Sequence, residues 1–290
     1  MAAALHEHRN PRYLLVSTDE PKQTLEPITG YAAEPLLSLE KACEPLLLIV
    51  PCLSLYVSRA KEESKDPADN LTPDESAAIR LYSMEWDGEG DIPDASLYFH
   101  LNETLRKKDQ AELRPWYRYL KLFLTALAKL PPMPVLIAWR GAHNDQSAEY
   151  PKGAEFAWCA FSSCTTSLDF LKSDLYVGKV GNRTIFTIET FNGRSVRGHS
   201  HYAIEDEILL LPGTYFQVMA QLHPSHDLYI VQLKQKQPPR ELLEPPFEGK
   251  CVIAQPCESK DDFLCGSWML SMIGIIKLVY IRISFINLCN

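Results

Sequence analysis

The stretch HYAIEDEILLLPGTYFQV, residues 201–218, is the part of the sequence that most constrains the fold. The acids Glu205, Asp206 and Glu207 stand directly before the run Ile208–Leu211, which is apolar enough for a protein interior. Carboxylates carried towards an interior lose hydration, and neighbouring carboxylates also repel each other. The stretch therefore predicts a buried strand with an energetically costly acidic entrance, and it raises the question of what the acids do there.

Strand patterns extend on both sides of this stretch. Pro212 and Gly213 predict a turn, and the segments around it are largely apolar or alternate between apolar and polar residues. The predicted strands are residues 134–141, 157–161, 183–190, 207–211, 215–222 and 227–233. Every predicted strand thus begins at or after residue 134.

The chain before these strands is predicted to be helical. Thr72, Pro73 and Glu75 match an N-cap, a first helical position and a capping box, so a helix begins there. The strongest helix lies in RPWYRYLKLFLTALAKLPP, residues 114–132, where two prolines end one apolar face. That face consists of Trp116, Leu120, Phe123, Leu124, Leu127 and Leu130. Further helical patterns cover 34–60 and 95–108, and the polar run 61–70 predicts a loop.

Helices that come first and strands that follow favour an α+β fold over a doubly wound parallel sheet. The sequence has no glycine-rich phosphate loop of the Walker or dinucleotide type. We expect an N-terminal extension over residues 1–60, a main domain over 71–235 and an apolar tail over 247–290. The proline-rich segment 235–246 marks the end of the main domain.

Composition excludes some classes of function. The chain has 290 residues, 46% of them hydrophobic and 23% charged, so it can bury a sizeable core. Its net charge of −8 argues against broad nucleic-acid binding, which needs a basic face. His6, His8 and Arg9 interrupt an N-terminus without an apolar run of signal-peptide length, so an intracellular, cytoplasmic protein is expected.

The cysteine and histidine patterns do not predict a metal site. The eight cysteines are dispersed, unlike those of a small disulfide scaffold, and are expected to be mostly reduced. Cys251, Cys257 and Cys265 lack the C-x-x-C spacing of a zinc site. His199 and His201 have no third ligand nearby in sequence, which favours loop histidines over metal ligands.

The tail is apolar over residues 263–289, but its longest uncharged run, 263–276, has only 14 residues. That length favours a core or interfacial segment over a membrane span. Lys277 and Arg282 then interrupt the apolar pattern. A membrane anchor and an aberrant gene model are the alternatives for this tail.

Glu205 and Glu207 are the first candidates for chemistry. If the segment is extended, side chains two residues apart share a face at about 7 Å, so these acids point together and Asp206 points away. Paired carboxylates suit a reaction in which a cation develops, such as cleavage of a glycosidic bond. A solvated strand start with a cluster of charges is the alternative.

Two other strand ends carry polar side chains. Arg140 in AWRGAH is placed to hold a phosphate or carboxylate by paired hydrogen bonds, although a structural salt bridge would use the same residue. The segment AFSSCTTSLDF, residues 160–170, ends a short strand in small hydroxyl residues. Their hydroxyls can orient a carboxylate, or they can cap the helix that follows.

In this order, the three segments resemble the R-S-E class of arginine-specific mono-ADP-ribosyltransferases. The matching segments are VLIAWRG, FSSCTTS and EDEILLLPGTYFQV, and the resemblance extends over roughly residues 71–233. The upstream LTPDESAAIRLYSMEW and residues 101–106 resemble the helical lead-in of this family. The resemblance implies that N-terminal helices precede a mainly antiparallel, sandwich-like ADP-ribosyltransferase core.

The resemblance also implies roles for individual residues. Glu207 would be the catalytic glutamate, and Ser163 would be the hydroxyl that steadies it. Arg140, with Gly141 beside it, would bind NAD through its phosphates and adjoining ribose, and would belong to the catalytic set. Glu205 would bind and orient the arginine of the acceptor, which implies arginine specificity.

One part of the motif departs from the family pattern. The family has Ser-Thr-Ser after the aromatic residue, whereas here Phe161-Ser162 is followed by Ser163-Cys164-Thr165. Ser162 therefore remains an alternative to Ser163 as the motif serine. The segment 193–204, which contains Ser200, His201 and Tyr202, would be the loop that meets the target.

The implied function is transfer of ADP-ribose from NAD(+) or NADP(+) to arginine side chains of a protein target, without a metal. Nicotinamide is released, and Glu207 would stabilise the positive charge that develops on the ribose. Two alternatives stay open. The same site could use water as acceptor and hydrolyse NAD, or the fold could be a catalytically silent binding module.

Overall fold

Helices come first and strands follow, as the sequence patterns predict. The computed structural model describes residues 11–14, 25–86, 96–107, 109–171, 173 and 176–247. The helices are α1 (Leu39–Cys43), α2 (Leu53–Glu62), α3 (Pro73–Ser83), α4 (Leu97–Arg106), α5 (Tyr117–Lys129) and α6 (Leu168–Leu171). The strands are β1 (Leu136–Ala142), β2 (Glu155–Trp158), β3 (Ser162–Thr165), β4 (Arg183–Thr190), β5 (Arg194–Ser195), β6 (Glu207–Leu210), β7 (Thr214–Ser225) and β8 (Leu228–Lys236). The predictions for the apolar tail and for Cys251, Cys257 and Cys265 lie outside the described residues.

The predicted start of α3 is confirmed. The Thr72 side chain accepts a hydrogen bond from the Glu75 backbone at 3.2 Å, and the Glu75 carboxylate accepts one from the Thr72 backbone at 2.8 Å. All six predicted positions on the apolar face around α5 are buried. The α-helix begins only at Tyr117, because Pro115 lies in the preceding 3-10 segment, Gln110–Trp116.

The helices form one layer with a shared apolar core. This core takes side chains from α1 to α5, and it also takes Phe161, which precedes β3, and Leu209 of β6. Helices α1 and α2, from the segment expected to be an N-terminal extension, pack in the same core as α3 and α5. Among the described residues, no helix combines the length and apolar character that a membrane span requires.

Within the described part of the chain, the strands form one eight-stranded sheet in the order β2-β7-β8-β4-β1-β3-β6-β5. Strands β4 and β8 run parallel, and the other neighbouring pairs in this order are antiparallel. Three strands that follow one another in the order, β1, β3 and β6, carry the predicted motif residues. The expected α+β class with a mainly antiparallel sheet is therefore confirmed.

The sheet folds over itself. In a flat sheet, β2 and β4 would lie about 14 Å apart, because two strands separate them and neighbours are about 4.8 Å apart. The ring centroids of Trp158 in β2 and Phe186 in β4 are only 5.7 Å apart. One end of the sheet thus packs against its middle, which is the sandwich-like arrangement that was expected.

The predicted strand 157–161 is wrong as a single element. Strand β2 ends at Trp158, and β3 begins at Ser162. Between them, the Phe161 backbone N–H donates to the Asn102 side chain of α4 at 3.1 Å instead of to a neighbouring strand. The chain therefore leaves the pairing of β2 with β7 and enters the pairing of β3 with β6.

Candidate active site

The three predicted motif residues of the R-S-E pattern lie on adjacent strands. Arg140 is in β1, Ser163 is in β3 and Glu207 is the first residue of β6. The Arg140 side chain reaches β3 directly, since its Nη1 atom donates to the Ser163 carbonyl at 2.6 Å. The fold thus gathers these residues, which are up to 67 positions apart in the sequence.

Strand register decides which hydroxyls share a face with Glu207. Thr165 pairs directly with Glu207, and Ser163 lies opposite Leu209. Directly paired residues lie on one face and successive residues alternate, so Ser163, Thr165 and Glu207 share a face. Ser162 lies on the opposite face, where its hydroxyl contacts the Ala160 carbonyl at 3.5 Å. The geometry therefore favours Ser163 over Ser162 as the motif serine.

The segment around Glu205 is not extended, so that part of the prediction is wrong. Residues Ala203–Glu205 form a 3-10 turn, and Asp206 adopts a left-handed conformation with φ 46° and ψ 46°. Aspartate tolerates the left-handed conformation because its short side chain can form local hydrogen bonds. A pattern of alternating strand residues gives no sign of such a turn. Asp206 points to the surface and pairs with Arg197 at 2.7 Å. The kink still brings Glu205 and Glu207 onto one guanidinium, as described below.

Both glutamates are buried and held by hydroxyl groups. The Glu205 side chain is only 4% exposed and that of Glu207 only 1%. The Tyr176 hydroxyl donates to Glu205 Oε1 at 3.2 Å, and the Ser200 hydroxyl donates to Glu207 Oε2 at 3.3 Å. Thr165 fixes the backbone, because its hydroxyl donates to the Glu205 carbonyl at 3.1 Å.

The Ser163 hydroxyl does not make the contact that the family resemblance implies. Ser163 is buried, and its hydroxyl has no hydrogen-bond partner within the described part of the chain. In this structure it is Ser200 that bonds to Glu207. The sequence pointed to Ser200 only as part of a loop that meets the target.

Arg12, which the sequence did not single out, occupies the centre of the site. Its Nη1 atom lies 2.7 Å from Glu207 Oε1, and its Nη2 atom lies 3.1 Å from Glu205 Oε2. Arg12 belongs to the 3-10 turn Pro11–Tyr13, and the next residue, Leu14, bridges to Gly141 of β1. An irregular polar N-terminus gave no sign of this contact, which spans more than 190 residues of sequence.

The electrostatic balance of the site depends on Arg12. Burial alone would lower the pKa of Arg12, but Glu207 and Glu205 raise the pKa well above its usual value. Arg12 therefore stays a cation and partly balances two buried carboxylates. Without a guanidinium at this position, the two acids would lie buried beside each other and repel.

Gly141, predicted to contact NAD, has a packing role that the structure makes visible. A Cβ atom at this position would lie 2.1 Å from Val177 Cγ2. Only glycine lets the segment with Tyr176 and Val177 approach β1 this closely. That approach matters for the site because Tyr176 holds Glu205.

Glu85, which follows α3, is a partly buried acid that the sequence did not single out. Its carboxylate is 3.4 Å from the Tyr98 hydroxyl, and its Oε1 atom has no partner among the described residues. Burial raises its pKa to about 7, Arg12 opposes this shift, and Glu205 and Glu207 add to it. The described residues contain no group of three or more His, Cys, Asp and Glu side chains arranged to hold a metal ion.

Comparison with known proteins identifies the family. The chain matches the model of the NAD:arginine ADP-ribosyltransferase family over residues 54–239, which is more than half of its length. The chain therefore belongs to the NAD:arginine ADP-ribosyltransferase family. The family takes NAD as co-substrate, as its name states. No curated protein sequence matches the chain significantly.

Solved structures agree with this fold. The ADP-ribosyltransferase HopU1 of Pseudomonas syringae pv. Tomato DC3000 is 16% identical with a TM-score of 0.52, and the match covers 73% of this chain and 100% of that one. The eucaryotic mono-ADP-ribosyltransferase ART2.2 is 15% identical with a TM-score of 0.53, and the match covers 78% of this chain and 97% of that one. At these identities the likeness establishes the fold, and the family match places the chain among the ADP-ribosyltransferases.

Proposed function

We propose that this protein transfers ADP-ribose from NAD(+) to arginine side chains of protein targets and releases nicotinamide. The observation that supports this best is the buried guanidinium of Arg12 between Glu205 and Glu207. A guanidinium is the group that an arginine acceptor presents. The pair of acids thus has the chemistry and spacing to bind such an acceptor by charge-assisted hydrogen bonds.

The NAD end of the site is assigned to β1. Arg140 is a permanent cation whose planar guanidinium suits phosphate oxygens, and Gly141 follows it without a side chain. Arg140 bonds to the Ser163 carbonyl of β3, and β3 pairs with β6, the strand that begins at Glu207. NADP(+) would present the same diphosphate to Arg140, so this contact does not distinguish the two dinucleotides. NAD(+) is proposed because the family name specifies NAD.

The reaction uses the two glutamates differently. The bond between the ribose and the nicotinamide nitrogen breaks, its electron pair stays on nicotinamide, and positive charge develops on the ribose. Glu207 accepts a hydrogen bond from a ribose hydroxyl and stabilises that charge. The acceptor guanidinium nitrogen attacks the ribose carbon and loses a proton, and Glu205 orients this group and accepts the proton.

The proposal is tested with NAD labelled on its adenylate side and agmatine as a small guanidine acceptor. Glu207→Gln and Glu205→Gln are compared with Asp206→Asn, a matched control because Asp206 lies between them and points to the surface. Each change is made in the full chain and together with Arg12→Ala, since Arg12 occupies both acids. We expect Glu207→Gln to lower agmatine labelling about 100- to 1000-fold. Glu205→Gln should leave free ADP-ribose but no labelled agmatine, and Asp206→Asn should behave as the parent protein.

Other results would point to the alternatives. Free ADP-ribose without labelled agmatine in every protein would indicate an NAD glycohydrolase that uses water. If NAD is neither bound nor consumed by any of them, the fold serves as a binding module and the proposal is wrong.

A further inference from the structure

We infer that the segment Pro11–Leu14 is an internal competitive inhibitor, which has to leave the site before NAD and an acceptor can bind. The inference rests on the proposed function, because it uses the roles assigned there to Arg140, Glu205 and Glu207. It is carried by a chain segment that engages all three of these residues at once.

The first contact removes both carboxylates from use. Arg12 binds Glu207 through Nη1 and Glu205 through Nη2, at 2.7 and 3.1 Å. The reaction needs Glu207 for the ribose hydroxyl and Glu205 for the acceptor. With Arg12 in place, its own guanidinium takes an oxygen of each acid.

The second contact removes the phosphate-binding arginine from use. Arg140 Nη1 donates to the Arg12 carbonyl at 2.8 Å, and Arg140 Nη2 donates to the Leu14 carbonyl at 3.2 Å. Arg140 itself is only 4% exposed. The backbone of the segment therefore covers the guanidinium that would bind the phosphates of NAD.

The third contact anchors the segment in an aromatic slot. The Tyr13 ring is fully buried, and its centroid lies 5.4 Å from that of Phe170 and 5.7 Å from that of Tyr176 in edge-to-face arrangements. Aromatic contacts of this kind hold a flat ring in a defined position. Tyr176 also bonds to Glu205, so the slot is continuous with the acid pair.

These contacts define an inhibitor and not an acceptor. An acceptor arginine has to bind together with NAD, which requires Arg140 and Glu207 to be available to the dinucleotide. The segment engages both, so it and NAD exclude each other. In the absence of NAD the arrangement is favourable, because Arg12 brings a cation to two buried acids.

Occupancy of the site by the segment Pro11–Leu14 should weaken the apparent affinity for NAD. If the segment fills the site in nine of ten molecules, the apparent Kd for NAD is about tenfold above that of the open site. Withdrawal of the segment, by any means, should therefore raise activity at low NAD concentration without a change at the catalytic residues.

The test compares NAD binding by calorimetry and agmatine labelling in four proteins. These are the full chain, Arg12→Ala, a deletion of residues 1–14, and Arg118→Ala as a matched control. Arg118 is a half-exposed arginine on α5 that pairs with Glu34. We expect Arg12→Ala and the deletion to lower the Kd and KM for NAD at least tenfold, and Arg118→Ala to match the full chain. Because the deletion also removes Arg12, a fifth protein, Tyr13→Ala, covers the case in which both variants fold poorly. It removes the aromatic anchor, keeps the guanidinium beside the acids and should also lower the Kd for NAD.

A peptide supplies a second, independent readout. The sequence RNPRYLLV, residues 9–16, should inhibit the deletion protein competitively with NAD, and the same peptide with Arg12→Ala should inhibit far less. If the full chain is active and all four proteins bind NAD equally, the inhibitor is ruled out and the proposed function stands. If none of the four proteins binds NAD, both the internal inhibitor and the proposed transferase activity are wrong. If Arg12→Ala and the deletion bind NAD more tightly but do not label agmatine, the inhibitor is supported and the transferase activity is wrong. ADP-ribose found on Arg12 itself would also overturn the inference, because Arg12 would then be a substrate.

Discussion

At the residue scale, the acidic entrance to β6 is stable because each buried acid has more than one donor. Glu207 accepts from Arg12 and Ser200, and Glu205 accepts from Arg12 and Tyr176. Hydrogen bonds to an ionised group are the strong ones, and a buried charge without them is strongly unfavourable. Each carboxylate is therefore held by two donors at the place proposed to bind the acceptor guanidinium.

Glu85 should make the stability of the protein depend on pH. Its pKa is raised to about 7 in the folded protein, from an ordinary value of 4.5. Since the unfolded chain loses this proton first, the free energy of unfolding falls as the pH rises through this interval. The full effect, about 3 kcal/mol, is reached above pH 7. Glu85→Gln should therefore stabilise the protein at pH 8 and have little effect near pH 4, as measured by urea unfolding.

A control for this prediction lies on the neighbouring helix. Glu103 is an exposed acid on α4, so Glu103→Gln should change the unfolding free energy little at either pH. If the free energy of unfolding depends on pH in the same way in Glu85→Gln and in the parent protein, Glu85 is already ionised in the folded protein between pH 4 and pH 8.

Ser200 and Ser163 can be separated by their effects on turnover. The Ser200 hydroxyl bonds to Glu207, whereas that of Ser163 has no partner among the described residues. Loss of a hydrogen bond worth about 1 kcal/mol corresponds to about a fivefold lower kcat. We expect this from Ser200→Ala in the Arg12→Ala background, with KM for NAD nearly unchanged. If Ser163→Ala has the larger effect on kcat, Ser163 steadies Glu207 during turnover, as the family resemblance implies.

At the element scale, local signals were predictable and long-range contacts were not. The capping box of α3, the buried face of α5 and strand β4 follow from spacing within a few residues. The break between β2 and β3 depends on Asn102 of α4, which is 59 residues away from the N–H it binds. The left-handed Asp206 depends on the loop that it closes, and neither feature leaves a periodic pattern in the sequence.

The same distinction applies to the site. The order of Arg140, the hydroxyl run and the two glutamates identified strands that turned out to be neighbours. Arg12 could not be predicted, because a single arginine in an irregular segment carries no sign of a partner more than 190 residues away. Glu85 and Tyr176 were missed for the same reason. Their importance comes from contacts made only in the folded protein, with Tyr98 for Glu85 and with Glu205 for Tyr176.

A side chain at position 141 of strand β1 should destabilise the protein. The Cβ atom of Gly141→Ala would lie 2.1 Å from Val177 Cγ2, so the side chain of Val177, the residue after Tyr176, has to move. Overpacking of this kind costs about 1–3 kcal/mol of stability. We expect Gly141→Ala to lower the free energy of unfolding by that amount and to weaken agmatine labelling, because Tyr176 holds Glu205.

Gly198 provides the matched glycine for comparison. A Cβ atom at this position meets Asp69 Oδ2 at 3.8 Å, which is an ordinary contact. Gly198→Ala should therefore change the unfolding free energy by less than about 0.5 kcal/mol. If urea unfolding shows that both substitutions destabilise the protein equally, the close approach of β1 to Val177 is not the cause of the stability loss in Gly141→Ala.

At the scale of the whole molecule, the β2 end of the sheet packs against its middle beside Arg140. Trp158 of β2 contacts Phe186 of β4, and the Arg140 guanidinium carbon lies 6.0 Å from the centre of the Trp158 ring. The guanidinium is thus backed by an aromatic face on one side and covered by the segment Pro11–Leu14 on the other. Displacement of that segment should therefore release the two Arg140 hydrogen bonds to the Arg12 and Leu14 carbonyls.

This arrangement predicts that NAD protects the protein against heat unequally in different variants. Without NAD, Arg12→Ala should have a lower Tm than the full chain, since two buried acids lose their shared cation. NAD that binds only the folded protein stabilises it by about 2.7 kcal/mol at 100 times its Kd. In the full chain part of this free energy is needed to displace Pro11–Leu14, so the rise in Tm at a given NAD concentration should be smaller than in Arg12→Ala. Thermal melts across a range of NAD concentrations measure the difference, and identical shifts in both proteins would mean that NAD does not compete with the segment.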